Sequence, residues 1–244
     1  MLAQKAELST RLGSRRRPAH FSVTAPKQRM KKIVIASNNV GKLNEIGAIL
    51  APLDIEIIAQ STLGVSEAAE PHCTFVENAL AKARHASLHT GLPALADDSG
   101  ICVDALQGAP GVHSARFADD GPAATTRAEQ DERNNQKLLT LLGNETNRKA
   151  HYYCVIVLTR SAGDPQPIIC EAEWHGEVAR GPRGSGGFGY DPLFFIPALR
   201  KTGAELRADD KNRISHRGQA LAALAARLDP HAGVSIGRRR TSKD

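Results

Sequence analysis

The chain has 244 residues, of which 41% are hydrophobic and 24% are charged, proportions that suit a globular protein able to bury a core. No apolar run approaches the ~18–20 residues of a membrane span, which argues against a transmembrane protein. The net charge of +6 comes from the ends, because residues 1–32 hold nine Lys and Arg against one acid and residues 237–244 hold four against one. The rest of the chain is net acidic, which excludes a protein built around a basic nucleic-acid groove.

The basic N-terminal segment lacks both the apolar helical face of a transit peptide and the continuous apolar stretch of a secretory signal. We expect residues 1–30 to be a disordered extension, or Met30 to be the true first residue. Residues 231–244 are expected to form a second basic tail, and residues 31–230 a single folded domain. Nucleic-acid binding through the basic ends remains an alternative function.

The first half of the expected domain alternates between strand and helix patterns. A β-branched strand over 31–37, an amphipathic helix over 40–50 and a strand over 54–60 make a βαβ-like opening. A second helix over 74–91 follows, and then a strand over 92–98 that ends at two adjacent aspartates.

The second half adds a helix over 127–143, two long strands over 151–160 and 167–179 joined by a turn, and a final helix over 217–228. Capping-box spacing marks two helix starts, at Thr74 with Glu77 and at Thr126 with Glu129, and Gly91 suits a helix end. Alternation followed by a hairpin predicts an α/β fold with a mixed sheet flanked by helices.

The four cysteines, at positions 73, 102, 154 and 170, include no CxxC pair. This spacing argues against a zinc site built on cysteines. Three of them lie in apolar segments, so we expect buried free thiols and a reducing compartment.

The stretch SNNVGK at 37–42 joins the first strand to the first helix. Its backbone N–H groups and Lys42 suit an anion bound at a helix N-terminus, although an ordinary capping turn with a solvated lysine is an alternative. The GxxxxGK[ST] pattern is absent, which disfavours a P-loop NTPase.

The stretch ADDSG at 96–100 places Asp97 beside Asp98 at the predicted end of a strand. A carboxylate there can bind Mg²⁺ or orient a water molecule. Alternate side chains of a strand point to opposite faces, so we expect one acid to act and the other to support the turn. An Asx turn completed by Ser99 and Gly100 is the alternative.

The glycine-rich stretch GSGGFGYDPLF at 184–194 places two aromatic rings, Phe188 and Tyr190, among its glycines. Its glycines allow close approach to a ligand, and Phe188 and Tyr190 offer stacking faces for a flat base. The alternative is a flexible loop whose aromatic rings fold back on the core.

The basic stretch KNRISHRGQAL at 211–221 gathers Lys211, Arg213, His216 and Arg217 just before a helix. These side chains can together bind phosphate or hydrogen-bond a base edge. The alternative is a basic helix entrance that lies in water.

These stretches, with TFVENALAKAR at 74–84 and GAPGVHSARFA at 108–118, follow an order that closely resembles the inosine triphosphate pyrophosphatase family, which includes the bacterial XTP/dITP diphosphatases. The resemblance covers residues 31–230. It implies an elongated mixed α/β sheet with two lobes around a substrate cleft. It also implies Mg²⁺-dependent hydrolysis of ITP, dITP and XTP to the monophosphate and pyrophosphate by a cytoplasmic homodimer. A related pyrophosphatase with a different base preference is the rival interpretation.

The resemblance assigns roles to the matching residues. Asp98 would bind the metal and act as general base, and Ser99 would contact the substrate. The triphosphate would be cradled by Ser37, Asn38, Asn39, Val40, Gly41 and Lys42; the base and sugar would be held by Phe188, Gly189, Tyr190 and Asp191; and the base and phosphates would be contacted by Lys211, His216 and Arg217.

One segment departs from the family pattern. Relatives often carry adjacent glutamates and a Thr-Gly pair before the second helix, whereas this chain has EAAEPHCTF at 67–75, with Ala69 in place of one glutamate. Glu70 is therefore the candidate second metal ligand, and Glu77 is its rival.

Overall fold

A computed structural model of the chain describes residues 30–119 and 124–228. The predicted extension, apart from Met30, and the predicted C-terminal tail lie outside the described residues. The described part forms β1 (Lys32–Ile35), α1 (Val40–Leu50), β2 (Glu56–Ala59), α2 (Phe75–Thr90), β3 (Ala94–Val103), α3 (Arg127–Leu142), β4 (Lys149–Thr159), β5 (Ile168–Val178), β6 (Phe194–Ile196), β7 (Lys201–Thr202), α4 (Ala208–Ile214) and α5 (His216–Leu228). None of its helices is long and apolar enough to cross a bilayer.

The strands form one mixed sheet in the order β2-β1-β3-β4-β5-β6-β7. β1 pairs in parallel with β2 and β3, whereas each later pair is antiparallel. Parallel neighbours need a crossover connection, which α1 and α2 supply, while β4 and β5 follow one another as a hairpin. The predicted α/β fold with a mixed sheet is confirmed.

The predicted helix starts are confirmed by their caps. The Thr74 side chain accepts a hydrogen bond from the N–H of Glu77, and Thr126 does the same for Glu129. Gly91 ends α2 with a left-handed φ of 67°. The sequence patterns missed β6, β7 and α4, because segments of two to seven residues are too short to show a hydrophobic period.

Strand β3 corrects the prediction that the chain turns at the paired aspartates. It runs through the whole ADDSG stretch to Val103, with an unbroken antiparallel register against β4 from Ala94–Thr159 to Val103–Ala150. Aspartate and glycine disfavour strands, but the long β-branched and aromatic β4 supplies a ladder partner for each of them. The Asx-turn alternative is therefore wrong.

Helices cover both faces of the parallel end of the sheet. Ile33 and Ile35 of β1 pack with α1 and α5 on one face, whereas Val34 packs with alanines of α2 on the other. A third apolar cluster joins α3 to β3, β4, β5 and β6. The four cysteines are free; Cys154 and Cys170 are buried, as predicted, whereas Cys102 is half-buried and Cys73 is exposed.

Gly100→Ala is expected to destabilise the fold by about 1–3 kcal/mol through overpacking. A Cβ at this position would lie 2.3 Å from the carbonyl oxygen of Gly111 and 2.4 Å from Ser114 Oγ. Because Ser114 Oγ also accepts a hydrogen bond from the N–H of Ile101 at 2.9 Å, a shift there loosens β3 beside Asp98. Thermal denaturation measures the loss as a fall in Tm of about 2–4 °C per kcal/mol.

Gly47→Ala in α1 is the matched control. A Cβ there meets nothing within 4 Å, and alanine is the better helix former, so Tm should rise slightly. An unchanged Tm in the Gly100 variant would contradict the steric argument.

Candidate active site

A cavity of about 670 Å³ lies beside β3 and is lined by residues that pair with Asp97 and by residues that pair with Asp98, and its size suits a small-molecule site. Its wall contains most of the residues predicted for the site, namely Ser37, Asn39, Lys42, Glu70, Ser99, Phe188, Gly189, Tyr190, Asp191, Lys211, His216 and Arg217. The predicted residues outside the wall are Asn38, Val40, Gly41, Glu77 and Asp98, the last of which lies directly behind Lys82.

The SNNVGK turn caps the N-terminus of α1. The Asn39 side chain accepts a hydrogen bond from the N–H of Lys42, and Ser37 Oγ accepts one from the N–H of Asn39. Gln60, at the end of β2, holds the Asn38 side chain at 3.4 Å. These bonds fix the helix terminus beside the cavity, so the capping part of the alternative interpretation is correct.

Asp97 is fully buried between two cations. Its Oδ1 lies 3.0 Å from Lys42 Nζ, and its Oδ2 accepts hydrogen bonds from Arg217 at 2.9 and 3.1 Å. Burial raises the pKa of Asp97, but Lys42 and Arg217 more than offset this effect, so the pKa lies far below its usual range. Asp97 therefore does not shape a turn, although it faces away from Asp98 as expected, and the alternative of a solvated Lys42 is wrong.

Glu45, which the sequence analysis missed, continues this network. Its carboxylate pairs with Arg217 and accepts a hydrogen bond from Lys211 Nζ at 3.1 Å, and Lys211 also donates to Asp191 Oδ2 at 2.6 Å. Lys211 and Arg217 are 6% and 2% exposed, so a basic helix entrance in water is excluded for them. The sequence did contain a signal for Glu45, because its i,i+3 spacing from Lys42 places both side chains on one face of α1.

His216 is buried against Tyr152, with ring centroids 4.6 Å apart and planes inclined by 5°. Burial and the nearby Arg217 and Lys211 lower the pKa of His216 well below its usual value. The ring is therefore neutral at physiological pH, with one donor and one acceptor nitrogen. Its Nδ1 accepts or donates no hydrogen bond within residues 30–119 and 124–228.

Asp98 faces the opposite side of β3 from Asp97, as strand alternation predicted. Its Oδ1 accepts a hydrogen bond from Lys82 Nζ of α2 at 2.9 Å. Its Oδ2 is buried and has no hydrogen-bond partner among the described residues. Burial raises the pKa of Asp98, and Lys82 and Lys42 offset only part of the rise, which favours a carboxylate that takes up a proton.

Glu70 shares a cation with Asp98. Lys82 Nζ lies 3.0 Å from Glu70 Oε1, and Arg116 Nη1 donates to Glu70 Oε2 at 3.2 Å. The rival candidate, Glu77, lies at the exposed start of α2, where Thr74 Oγ1 donates to it at 2.5 Å. The structure therefore favours Glu70 over Glu77 as the acid beside Asp98.

The Asp98–Glu70 pair fits a divalent cation. Both carboxylates converge on one ammonium group, and Asp98 Oδ2 is a buried acceptor without a partner in the described part of the chain. That part holds no group of three or more His, Cys, Asp and Glu side chains arranged for a metal. Two carboxylates suffice for Mg²⁺ where substrate phosphates and water complete its shell.

The glycine-rich loop separates its two aromatic rings. Tyr190 folds back into the core, and its hydroxyl donates to the carbonyl oxygen of Ser114 at 2.9 Å. Phe188 lines the cavity, packs against Gly41 and has Lys211 Nζ 4.9 Å from its ring centroid. The alternative of a ring folded back on the core is thus correct for Tyr190, whereas stacking of Phe188 on a base stays a prediction.

Lys82 and Arg116 were also missed by sequence reasoning. Lys82 belongs to the buried face of α2, at helical spacing with Ala79, Ala83 and Ala86. A lysine within such a small-residue face needs a buried acidic partner, so the pattern held a usable signal. Arg116 carried no comparable signal, because the 3₁₀ turn at Gly111–Arg116 has no hydrophobic period.

Comparisons with known proteins find a close match over nearly all the described residues. A model of the Ham1 family matches residues 33–227. A dITP/XTP pyrophosphatase of Nitrosomonas europaea is 62% identical over 207 residues, which cover 85% of this chain and 98% of that protein. A dITP/XTP pyrophosphatase of Ralstonia nicotianae is 59% identical over 201 residues, which cover 82% of this chain and 97% of that protein. A solved HAM1 protein of Coxiella burnetii has a TM-score of 0.74 and 49% identity, covering 82% of this chain and 98% of that one.

Proposed function

Because the chain belongs to the Ham1 family, we propose that it is a nucleoside triphosphate pyrophosphatase acting on non-standard purine nucleotides such as dITP, ITP and XTP. The observation that carries the proposal is the charge arrangement of the cavity. Asp98, a carboxylate with a raised pKa, lies beside a wall that presents Lys42, Lys82, Lys211 and Arg217. Such a wall suits a polyanion, and such a carboxylate suits a proton acceptor.

The triphosphate would bind where α1 begins. The helix N-terminus and Lys42 both favour an anion there. Asp97 fixes Lys42 from behind at 3.0 Å, so the ammonium group is already oriented before the ligand arrives. Preorganised cations of this kind stabilise charge that grows in a transition state.

The proposed reaction is attack of water on the α-phosphorus. The water oxygen forms a bond to phosphorus, its proton passes to Asp98, and the bond between the α-phosphorus and the α–β bridging oxygen breaks. The products are the nucleoside monophosphate and pyrophosphate, whose charge Lys42 offsets. A carboxylate whose pKa lies above its ordinary range is a better proton acceptor for this step.

Asp98 and Glu70 would hold Mg²⁺. When bound, the ion would offset negative charge on the phosphate oxygens. The proposal also includes a homodimer and a cytoplasmic location, which the family resemblance implies.

Base selection would depend on a buried hydrogen-bond donor in the cavity. Hypoxanthine and xanthine carry an acceptor, O6, where adenine carries an amino group. The neutral His216 and the guanidinium of Arg217 are both buried in the wall and able to donate. A donor left unpaired by adenine costs enough to discriminate by about 10⁴-fold.

A panel of triphosphates tests the proposal directly. We expect kcat/KM for ITP, dITP and XTP to exceed that for ATP by about 10²–10⁴-fold, since adenine leaves a buried donor unpaired. Pyrophosphate release is the measurement, with and without EDTA, and added Mg²⁺ should restore the activity that EDTA removes. Equal rates on ATP, GTP and ITP would contradict the selectivity, and phosphate release without pyrophosphate would contradict the reaction.

A further inference from the structure

Helix α3 contributes two side chains that bind both backbone polar groups of Gly189. The N–H of Gly189 donates to Asp131 Oδ2 at 2.8 Å, and its carbonyl oxygen accepts a hydrogen bond from Asn135 Nδ2 at 3.0 Å. Asp131 and Asn135 are four residues apart and therefore share one helix face. Both are buried, and Arg127 pairs with the second oxygen of Asp131 at 2.9 Å. We call Asp131 and Asn135 the α3 clamp.

The α3 clamp holds the backbone next to the cavity aromatic. Gly189 directly follows Phe188 and has a left-handed φ of 63°. The backbone N–H of Phe188 itself donates to Asp191 Oδ2 at 2.9 Å, and Asp191 in turn accepts a hydrogen bond from Lys211. The Phe188 ring, which faces the cavity, is thus carried by a backbone segment fixed at both ends.

The clamp is costly for packing alone. Asn135 Oδ1 is buried and has no hydrogen-bond partner in the described residues. An unpaired buried polar atom destabilises a fold, and an apolar side chain in its place avoids that penalty. What the two polar side chains provide is one defined conformation of the loop.

Resting on the proposed function, we propose that Asp131 and Asn135 are positioning residues for the purine base. Both side chains bind the loop backbone beside Phe188 and act through the placement of its ring; Asp131 also pairs with Arg127 and lies in the cavity wall, whereas Asn135 is not among the wall residues. The four cations proposed to face the triphosphate lie on α1, α2, α4 and α5, and in the described part of the chain their acidic partners are Asp97, Asp98, Glu70, Glu45 and Asp191 rather than the clamp. The clamp therefore controls affinity for the base and leaves the triphosphate site and the chemical step unaffected.

The test compares a ligand that has a base with one that lacks it. Asn135→Leu removes the hydrogen bond to Gly189 while keeping the branching and the number of heavy atoms of the side chain, and we expect the KM for ITP to rise about tenfold, the factor that one lost hydrogen bond produces. The kcat should change by less than about threefold. Inorganic tripolyphosphate, used as a competitive inhibitor, should keep its wild-type inhibition constant.

Two further variants keep the test decisive. If the leucine variant does not fold, Asn135→Ser repeats the test, because the serine side chain is too short to reach Gly189. Circular dichroism verifies that each variant is folded. Thr140→Val is the control, since the Thr140 hydroxyl donates to the carbonyl of Gln136 on the exposed side of the same helix. Its KM for ITP should equal that of the wild type.

A parallel weakening of ITP and tripolyphosphate, or a fall in kcat with unchanged KM, would overturn the role of the clamp. Pyrophosphate release from ITP by the wild-type protein is measured first, under the same conditions. Its absence would overturn the proposed function itself, so the two failures are distinguishable.

Discussion

Asp98→Asn should lower kcat for ITP by about 10²–10⁴-fold, the usual contribution of a general base. The amide has the volume of the carboxylate and still accepts a hydrogen bond from Lys82 Nζ, which lies 2.9 Å from Asp98 Oδ1. It cannot, however, take a proton from water or carry charge toward a metal ion. Steady-state pyrophosphate release measures the loss, and circular dichroism establishes that the fold is retained.

Asp104→Asn is the matched control for Asp98→Asn. Asp104 directly follows β3 and is exposed, so the same chemical change there should leave kcat within about threefold of the wild type. Near-normal turnover of the Asp98 variant would remove Asp98 from the proposed reaction.

Arg217→Leu should lower the free energy of unfolding by about 3–5 kcal/mol, because removing one partner from a buried ion-pair network leaves the buried Asp97 and Glu45 with only Lys42 and Lys211 as counter-ions. Arg217 is 2% exposed and donates to Asp97 Oδ2, to Ser99 Oγ at 2.8 Å and to Glu45. The variant leaves two carboxylates buried beside an apolar side chain. Thermal denaturation should show a fall in Tm of about 6–20 °C.

Arg213→Leu is the control for Arg217→Leu. The Arg213 guanidinium pairs with Asp210 on an exposed surface, where an ion pair contributes less than about 1 kcal/mol. Comparable losses in both arginine variants would show that burial does not set the energy of these pairs.

The deficit of the Arg217 variant should depend on pH. Burial raises the pKa of Glu45, but Arg217 and Lys211 more than offset this effect, so the native pKa lies below the unfolded value of about 4.3. A carboxylate whose pKa is lower in the native state stabilises the fold at pH values above its unfolded pKa. This contribution is lost as the pH falls through the native pKa. The difference in Tm between wild type and variant should therefore be largest near neutral pH and shrink below about pH 4. A difference in Tm that stays constant as the pH is lowered would contradict the lowered native pKa of Glu45.

Local sequence patterns were sufficient for most of the secondary structure. The caps at Thr74 and Thr126, the β-branched β1 and the hairpin of β4 and β5 depend on neighbouring residues, so a short window contains the signal. The same patterns failed at β3. A strand that contains two aspartates and a glycine is stable only because β4 lies along its full length and buried cations neutralise its acids.

The sequence by itself determined the mixed α/β fold and the family, because strand and helix periods are local and the order of the motifs is read directly from the chain. Only the tertiary structure decided which charges meet. Three contacts join segments that are far apart in the chain. Glu45 pairs with Arg217, Lys82 pairs with Asp98 and Glu70, and the α3 clamp binds Gly189. Burial then decides what each pair does, since the same carboxylate is a solvated anion at the surface and a proton acceptor or fixed counter-ion in the interior.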